Sequence, residues 1–242
     1  MLQDQDAQWI LQEVHEYYAS GVKSSNKAYI SMASDVPVAM GAAFDKHFQI
    51  WSTRRMAEKA KKRNNNAYAS GNTGDDPRDL LGGECKTLYD WGVRIYNGGK
   101  RAEFTAGNCM EMAAVAAAIA IDKFHVAPDS VYCAQIGFPG DHSFCLLSED
   151  WPRWRTVSQM VAGSGDADAY VIDPWLNTAC PAQAYWETAW KRLCKWAANG
   201  KRIMWSGQGG NSLGWYSPDG TYAQAFGHSP MGYGTVLGAE LH

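Results

Sequence analysis

Three short segments of the chain hold a nucleophile, a base and a carboxylate, each beside turn residues and an apolar run. They are residues 107–111 (GNCME), 141–144 (DHSF) and 171–175 (VIDPW). A thiol nucleophile needs a general base, and the base needs a carboxylate that orients it. Cys109, His142 and Asp173 are therefore candidate catalytic residues for attack on an amide carbonyl.

The expected roles follow from where each residue lies. Cys109 falls in the first turn of a predicted helix, where unpaired N–H groups and the positive end of the helix dipole stabilise a thiolate. Its own N–H points toward an oxyanion formed on the substrate. His142 begins one predicted strand and takes the thiol proton, which it later gives to the leaving amine. Asp173 ends another strand and fixes the imidazole tautomer.

Two alternatives use the same residue types. Asp141 is a second carboxylate beside His142, but neighbouring residues in a strand point to opposite faces, which favours Asp173. Cysteine, histidine and aspartate also bind zinc, although zinc sites usually contain closely spaced ligand pairs and these residues are single and far apart. We therefore expect no metal and no cofactor. Trp175 is placed to shield the histidine and the carboxylate from water.

The elements that must position these residues follow from hydrophobic periodicity and stop signals. The alanine-rich segment after Cys109 is apolar almost all round and predicts a buried helix. The tail from residue 203 is rich in glycine and aromatic residues and predicts loops and short strands. The predicted helices cover residues 4–19, 36–62, 79–96, 105–124 and 182–198, and the predicted strands cover 131–136, 143–147 and 169–172.

A polar stretch divides the chain. Residues 64–78 are rich in Asn, Gly, Ser and Asp and predict a flexible loop. It separates an N-terminal helical region, residues 1–63, from a catalytic domain, residues 79–242, unless both share one continuous core. A second polar loop is predicted at residues 163–168.

Composition excludes several classes of protein. The net charge of −3 and the pI near 6.1 argue against a dedicated nucleic-acid binder. The six cysteines contain no CxxC pair, and Cys133 and Cys145 lie in apolar strands as small buried hydrophobes. No apolar run is long enough for a transmembrane helix, and the N-terminus lacks the pattern of a cleavable secretory signal.

The three segments resemble the papain-like cysteine domains of bacterial dermonecrotic-type toxins and secreted effectors. That family shows a Gly-Asn-Cys-x-Glu helix start, an Asp-His-x-Phe strand start and a Val-x-Asp-Pro-Trp turn. The matching positions lie within residues 103–177 and are Gly107, Asn108, Cys109, Glu111, Asp141, His142, Phe144, Val171, Asp173, Pro174 and Trp175.

The resemblance implies an α+β, papain-like fold in which a central helix carries the nucleophile and packs on a small antiparallel sheet. It implies a Cys-His-Asp hydrolase that deamidates glutamine or asparagine side chains of a protein in a target cell, with protease and transglutaminase as alternatives. It further implies virulence, export by a signal-peptide-independent bacterial system and an inhibitory or immunity partner. A catalytically inactive protein-binding module is the alternative of another class.

The second oxyanion donor is left open. Papain-type proteases carry a glutamine several residues before the nucleophile, and no glutamine lies between residues 90 and 109. The donor then comes from Asn108, from the tail or from a backbone amide. Asn108 and Trp175 are the candidate oxyanion or substrate-binding residues beside the three catalytic candidates.

Overall fold

Helices and antiparallel strands combine in an α+β arrangement in the computed structural model. The structure describes residues 4–18, 27–29, 87–99, 109–162, 168–205 and 214–238. Its helices are α1 (Asp4–Tyr18), α2 (Leu88–Gly99), α3 (Cys109–Asp122), α4 (Ala182–Ala198) and α5 (Thr221–His228). Its strands are β1 (Lys27–Tyr29), β2 (Val131–Ile136), β3 (His142–Leu147), β4 (Tyr170–Asp173), β5 (Thr178–Pro181), β6 (Lys201–Trp205), β7 (Gly214–Tyr216) and β8 (Met231–Thr235).

The main sheet has five strands in the order β5–β4–β3–β2–β8, and each neighbouring pair is antiparallel. Cys145 at the centre pairs with Cys133 on one side and with Ile172 on the other. Every residue of β3 is buried, as expected for a central strand covered on both faces. A smaller sheet has the order β1–β6–β7.

Helices cover both faces of the main sheet. The sulfur atoms of Met110 on α3 and Cys133 on β2 lie 3.9 Å apart, which places α3 on the face that bears Cys133. Phe144 on β3 points to the other face, where its ring centroid lies 4.7 Å from that of Tyr185 on α4. The sheet is therefore enclosed between α3 and α4, and the apolar core extends on both sides of it.

Helix α3, which begins at the candidate nucleophile Cys109, is tightly packed in the core. Its residues from Met112 to Ala120 are buried all round, as the alanine-rich segment predicted. Small side chains let α2 approach until a Cβ added at Gly92 would lie 2.0 Å from the carbonyl oxygen of Ala114. This contact holds the backbone of α3 in place directly, with no adjustable side chain between the two helices.

Helix α1 belongs to the same core as the sheet. Its apolar stripe is buried, and the Gln8 amide donates a hydrogen bond to the carbonyl oxygen of Ala179 at 2.6 Å. The Tyr17 hydroxyl donates to the carbonyl oxygen of Ile95 on α2, also at 2.6 Å. The predicted helix at 36–62 lies outside the described residues, and so does the loop at 64–78 that was predicted to separate residues 1–63 from residues 79–242. That division of the chain stays a prediction.

Several element predictions are confirmed and one is wrong. Helix α4 and strand β2 have the predicted bounds, and α1, β3 and β4 agree within one residue at each end. The starts of the helices predicted at 79 and 105 lie outside the described residues. The tail was expected to hold loops and short strands, yet it contains the helix α5, besides β8. The segment 221–228 has only eight residues, including a glycine, so its periodicity is weak. Burial of Tyr222, Ala223, Ala225 and Phe226 stabilises the helix.

Candidate functional site

The carboxylate of Asp173 is fully buried and hydrogen-bonded through both oxygens. Asp173 is the last residue of β4, and Pro174 ends the strand there. The Leu176 N–H donates to Oδ1 at 3.0 Å, and the Tyr185 hydroxyl donates to Oδ2 at 2.7 Å. His142 Nε2 lies 2.8 Å from the same Oδ2. An ionised carboxylate accepts only, so Nε2 carries the hydrogen of that bond.

Strand register brings His142 and Asp173 to one face of the sheet. Leu146 pairs with Val171, so these two side chains share a face. His142 lies four residues before Leu146 and Asp173 two residues after Val171, and alternation keeps all four on that face. Asp141 is exposed at φ 44°, where it forms the turn that leads into β3. The structure thus places Asp173, the carboxylate favoured from the sequence, in contact with His142.

Cys109 interacts with the other side of the imidazole. It is the first residue of α3 and is half-buried. The Gln135 amide donates to the sulfur of Met110 at 3.7 Å, and Gln135 pairs with Ser143 beside His142. The helix therefore starts next to the start of β3, and the Cys109 thiol lies close enough to His142 to help raise the pKa of the imidazole. Because Nε2 is bonded to Asp173, Nδ1 is the nitrogen that remains for the thiol.

The charges of the three groups depend on each other. Burial lowers the pKa of His142, but the negative charge of Asp173 and the hydrogen bonds to Asp173 and Cys109 more than offset it and raise the pKa to about 10. Burial raises the pKa of Asp173, while the His142 charge and the three donors to its carboxylate bring that pKa below its usual value. The arrangement thus favours an imidazolium beside an ionised carboxylate at neutral pH.

The other described cysteines differ from Cys109 in their surroundings. Burial raises the pKa of Cys133 to about 12 and that of Cys180 to about 12, and it raises the pKa of Cys145 further. A buried thiol without a cationic neighbour is inert. Cys194 on α4 is half-buried like Cys109, which makes it a natural reference for thiol reactivity.

Aromatic rings enclose the imidazole. The ring centroids of Trp175 and Phe226 lie 5.0 and 5.3 Å from that of His142, and that of Phe144 lies 6.2 Å away. Trp175 is buried, as its expected role in shielding His142 and Asp173 from water requires. Exclusion of water strengthens the electrostatic interaction of this pair.

Two residues of this arrangement were missed from the sequence. Tyr185 and Phe226 contact Asp173 and His142 from α4 and α5, far from the three motifs. Tyr185 follows the helical apolar period of α4, which predicts burial but does not distinguish a buried tyrosine from a buried phenylalanine. Asn108, a candidate oxyanion residue, lies outside the described residues.

Within the described ranges, no group of three or more His, Cys, Asp or Glu side chains is arranged to hold a metal ion. No helix among these ranges is long and apolar enough to cross a membrane. Comparisons with protein-family models, with curated proteins and with solved structures find no match to this chain. Inference about function therefore depends on the geometry at Cys109, His142 and Asp173 and on the resemblance of the three motifs.

Proposed function

We propose that the protein is a papain-like cysteine hydrolase that deamidates a glutamine or asparagine side chain of a protein substrate. The observation that carries the proposal is the position of one imidazole between a thiol and a buried carboxylate. Nε2 of His142 is 2.8 Å from Asp173 Oδ2, and the Cys109 thiol interacts with the same imidazole. A nucleophile, a base and an orienting group in this order are what acyl transfer requires.

The proposed reaction has two stages. The Cys109 sulfur attacks the amide carbon after its proton has passed to His142, and the N–H groups at the start of α3 face the resulting oxyanion. The C–N bond then breaks, His142 gives its proton to the leaving nitrogen, and ammonia departs from a thioester. Water, deprotonated by His142, attacks the thioester and releases the acid and the thiol. Asp173 stays ionised and stabilises the imidazolium throughout.

The motif resemblance supports the wider part of the proposal. We infer from it a protein substrate in a target cell, export by a signal-peptide-independent bacterial route, and an inhibitory or immunity partner in the producing cell. Protease and transglutaminase activity use the same three groups and differ only in the leaving group or the acceptor of the acyl group. The chemical identity of the product therefore distinguishes a deamidase from a protease and from a transglutaminase.

The first test measures thiol reactivity and needs no substrate. Iodoacetamide at neutral pH is expected to label Cys109 at least tenfold faster than Cys194, because Cys109 lies at a helix start beside the proposed general base. Both thiols are half-buried, so access alone predicts similar rates. His142→Ala should remove the difference. Equal rates in the unaltered protein would favour the inactive binding module.

The second test identifies the product. A protein extract from a candidate target cell is incubated with the protein or with Cys109→Ala and then analysed by mass spectrometry. Conversion of an amide to an acid adds about 1 Da to a glutamine or asparagine through the acyl-enzyme route. A new peptide terminus indicates a protease, and a cross-linked amine indicates a transglutaminase. Activity retained in Cys109→Ala would exclude all three.

A further inference from the structure

Asp173 Oδ2 accepts hydrogen bonds from two side chains. One comes from His142 Nε2 at 2.8 Å and the other from the Tyr185 hydroxyl at 2.7 Å. Tyr185 is fully buried at the end of the first turn of α4, and its ring packs against Phe144 and Phe226 with centroids 4.7 and 6.1 Å away. The phenol oxygen is thus held at the carboxylate by a buried ring that packs against two other aromatic rings.

We propose that Tyr185 is a positioning residue, which acts through Asp173 on His142 and hence on the reactivity of Cys109. The proposal rests on the proposed cysteine hydrolase function and extends it by a fourth residue. Tyr185 touches neither the thiol nor the substrate in this mechanism. Its hydroxyl sets the direction and the charge of the carboxylate on which the base depends.

Orientation is the first reason. The last torsion of an aspartate is broad, because it joins an sp³ to an sp² carbon, so a carboxylate does not hold its own plane. The Leu176 N–H at Oδ1 and the Tyr185 hydroxyl at Oδ2 restrain that plane from two sides. With the hydroxyl removed, a ring of the same shape still fills the space, but only Leu176 and His142 remain to orient Asp173.

Charge is the second reason. A buried carboxylate stays ionised only when donors and opposite charge replace its lost hydration. The Tyr185 hydroxyl is one of the groups that lower the pKa of Asp173 against the effect of burial. Protonation of Asp173 removes the negative charge that raises the pKa of His142, and so alters the base on which the reactivity of Cys109 depends.

The other titratable groups near Asp173 do not obscure the effect of Tyr185 on the pKa of this carboxylate. Cys180 on β5 and Tyr222 on α5 also lie within electrostatic reach of Asp173, and burial raises the pKa of both. Both therefore stay neutral at acid pH. Asp141 is an exposed carboxylate beside His142, so the measurements are made in an Asp141→Asn background, which removes its titration.

The test is the pH dependence of iodoacetamide labelling at Cys109. Tyr185→Phe should move the acid limb of the profile to higher pH by about one unit, the value expected for loss of one hydrogen bond to a charged group. Tyr233→Phe is the matched control, since the buried Tyr233 hydroxyl donates to the carbonyl oxygen of Trp154 at 2.8 Å and not to the carboxylate. An unchanged limb in Tyr185→Phe, or the same shift in Tyr233→Phe, would overturn the proposal.

A second variant covers the case in which Tyr185→Phe does not fold. Replacement of Tyr185 by 3-fluorotyrosine makes the hydroxyl a stronger donor in the same ring. The acid limb should then move to lower pH, opposite to the phenylalanine variant. A shift to higher pH or no shift would contradict the positioning role.

The two proposals fail in different ways. If Cys109 labels no faster than Cys194, the hydrolase proposal fails and the labelling profile carries no information on Tyr185. In that case the pKa of Asp173 is measured directly, from the ¹³C resonance of its carboxyl carbon followed by NMR against pH. The pH at the midpoint of this titration should rise in Tyr185→Phe and stay unchanged in Tyr233→Phe. An unchanged midpoint in Tyr185→Phe would reject the role of Tyr185.

Discussion

The two faces of the main sheet hold the candidate site by different physical means. On the α3 face, alanine and glycine let backbones approach so closely that a Cβ at Gly92 would overlap the Ala114 carbonyl. On the α4 face, the rings of Phe144, Tyr185 and Phe226 pack together, and a network of hydrogen bonds ends on Asp173. The thiol is thus positioned by backbone contact, whereas the base is positioned by rings and donors.

The two faces therefore control different properties of the candidate site. The α3 face contributes the place of Cys109 and the field of a helix terminus, neither of which depends on a titrating side chain. The α4 face contributes charge, because a buried imidazole and a buried carboxylate lie in contact there. Changes at packing positions of the first face away from Cys109 should act mainly through stability. Changes on the second face should act through stability, pH dependence and reactivity together.

The largest effect is expected from Asp173→Ala on the α4 face. The change leaves His142 and the Tyr185 hydroxyl without their buried acceptor, which should lower the free energy of unfolding by about 3–5 kcal/mol. Urea denaturation measures the loss, and labelling of Cys109 by iodoacetamide should fall to the rate of Cys194. Asp173→Asn retains shape and one acceptor oxygen, so its destabilisation should be smaller. Equal stability of Asp173→Ala and the unaltered protein would contradict the structure of this face.

An intermediate effect is expected from Gly92→Ala on the α3 face. The new methyl group meets the backbone of Ala114, which cannot rotate away, and overpacking of this kind costs about 1–3 kcal/mol. Asn97→Ala on the exposed side of the same helix is the control, since it also adds a good helix former but meets no neighbour. If Gly92→Ala is as stable as Asn97→Ala in urea, the close contact of α2 with α3 is wrong.

The effect that separates the two faces most directly is the pH dependence of stability. The His142 pKa is raised from 6.5 to about 10, so its stabilisation is complete below pH 6.5 and is lost as the pH rises through about 10. The Asp173 pKa is lowered, so the same contact is also lost as the pH falls through the folded value. The free energy of unfolding should therefore decline from pH 7 to pH 10.

Two variants check the origin of that decline. Asp173→Asn removes the charge that raises the His142 pKa and should flatten the decline between pH 7 and pH 10. Gly92→Ala touches no titratable group and should keep the slope of the unaltered protein at a lower stability. A steep decline that persists in Asp173→Asn would assign the pH dependence to groups elsewhere in the molecule.

Local hydrophobic periodicity was sufficient to predict helices and strands whose apolar residues recur regularly. Helix α4 and strand β2 were predicted with their observed bounds, because their apolar periods are regular and turn residues flank them. Periodicity did not predict α5, because eight residues form only about two helical turns. This helix is stabilised by burial of Phe226 and its neighbours rather than by helix propensity. Strand β5 was also missed, since its four residues pair with β4 and carry no alternation of their own.

The sequence by itself determined the residue types and their places at element ends: a cysteine opening a buried alanine-rich helix, a histidine opening a strand and an aspartate closing another. Only the tertiary structure decided that Asp173 meets Nε2 of His142, that Cys109 meets the other side of the ring, and that Tyr185 shares the carboxylate. The physical reason is the distance along the chain over which each interaction acts. Capping, turn chemistry and periodicity act over a few residues, whereas these contacts join atoms 12 to 33 residues apart through strand register and the packing of two helices on opposite faces of one sheet.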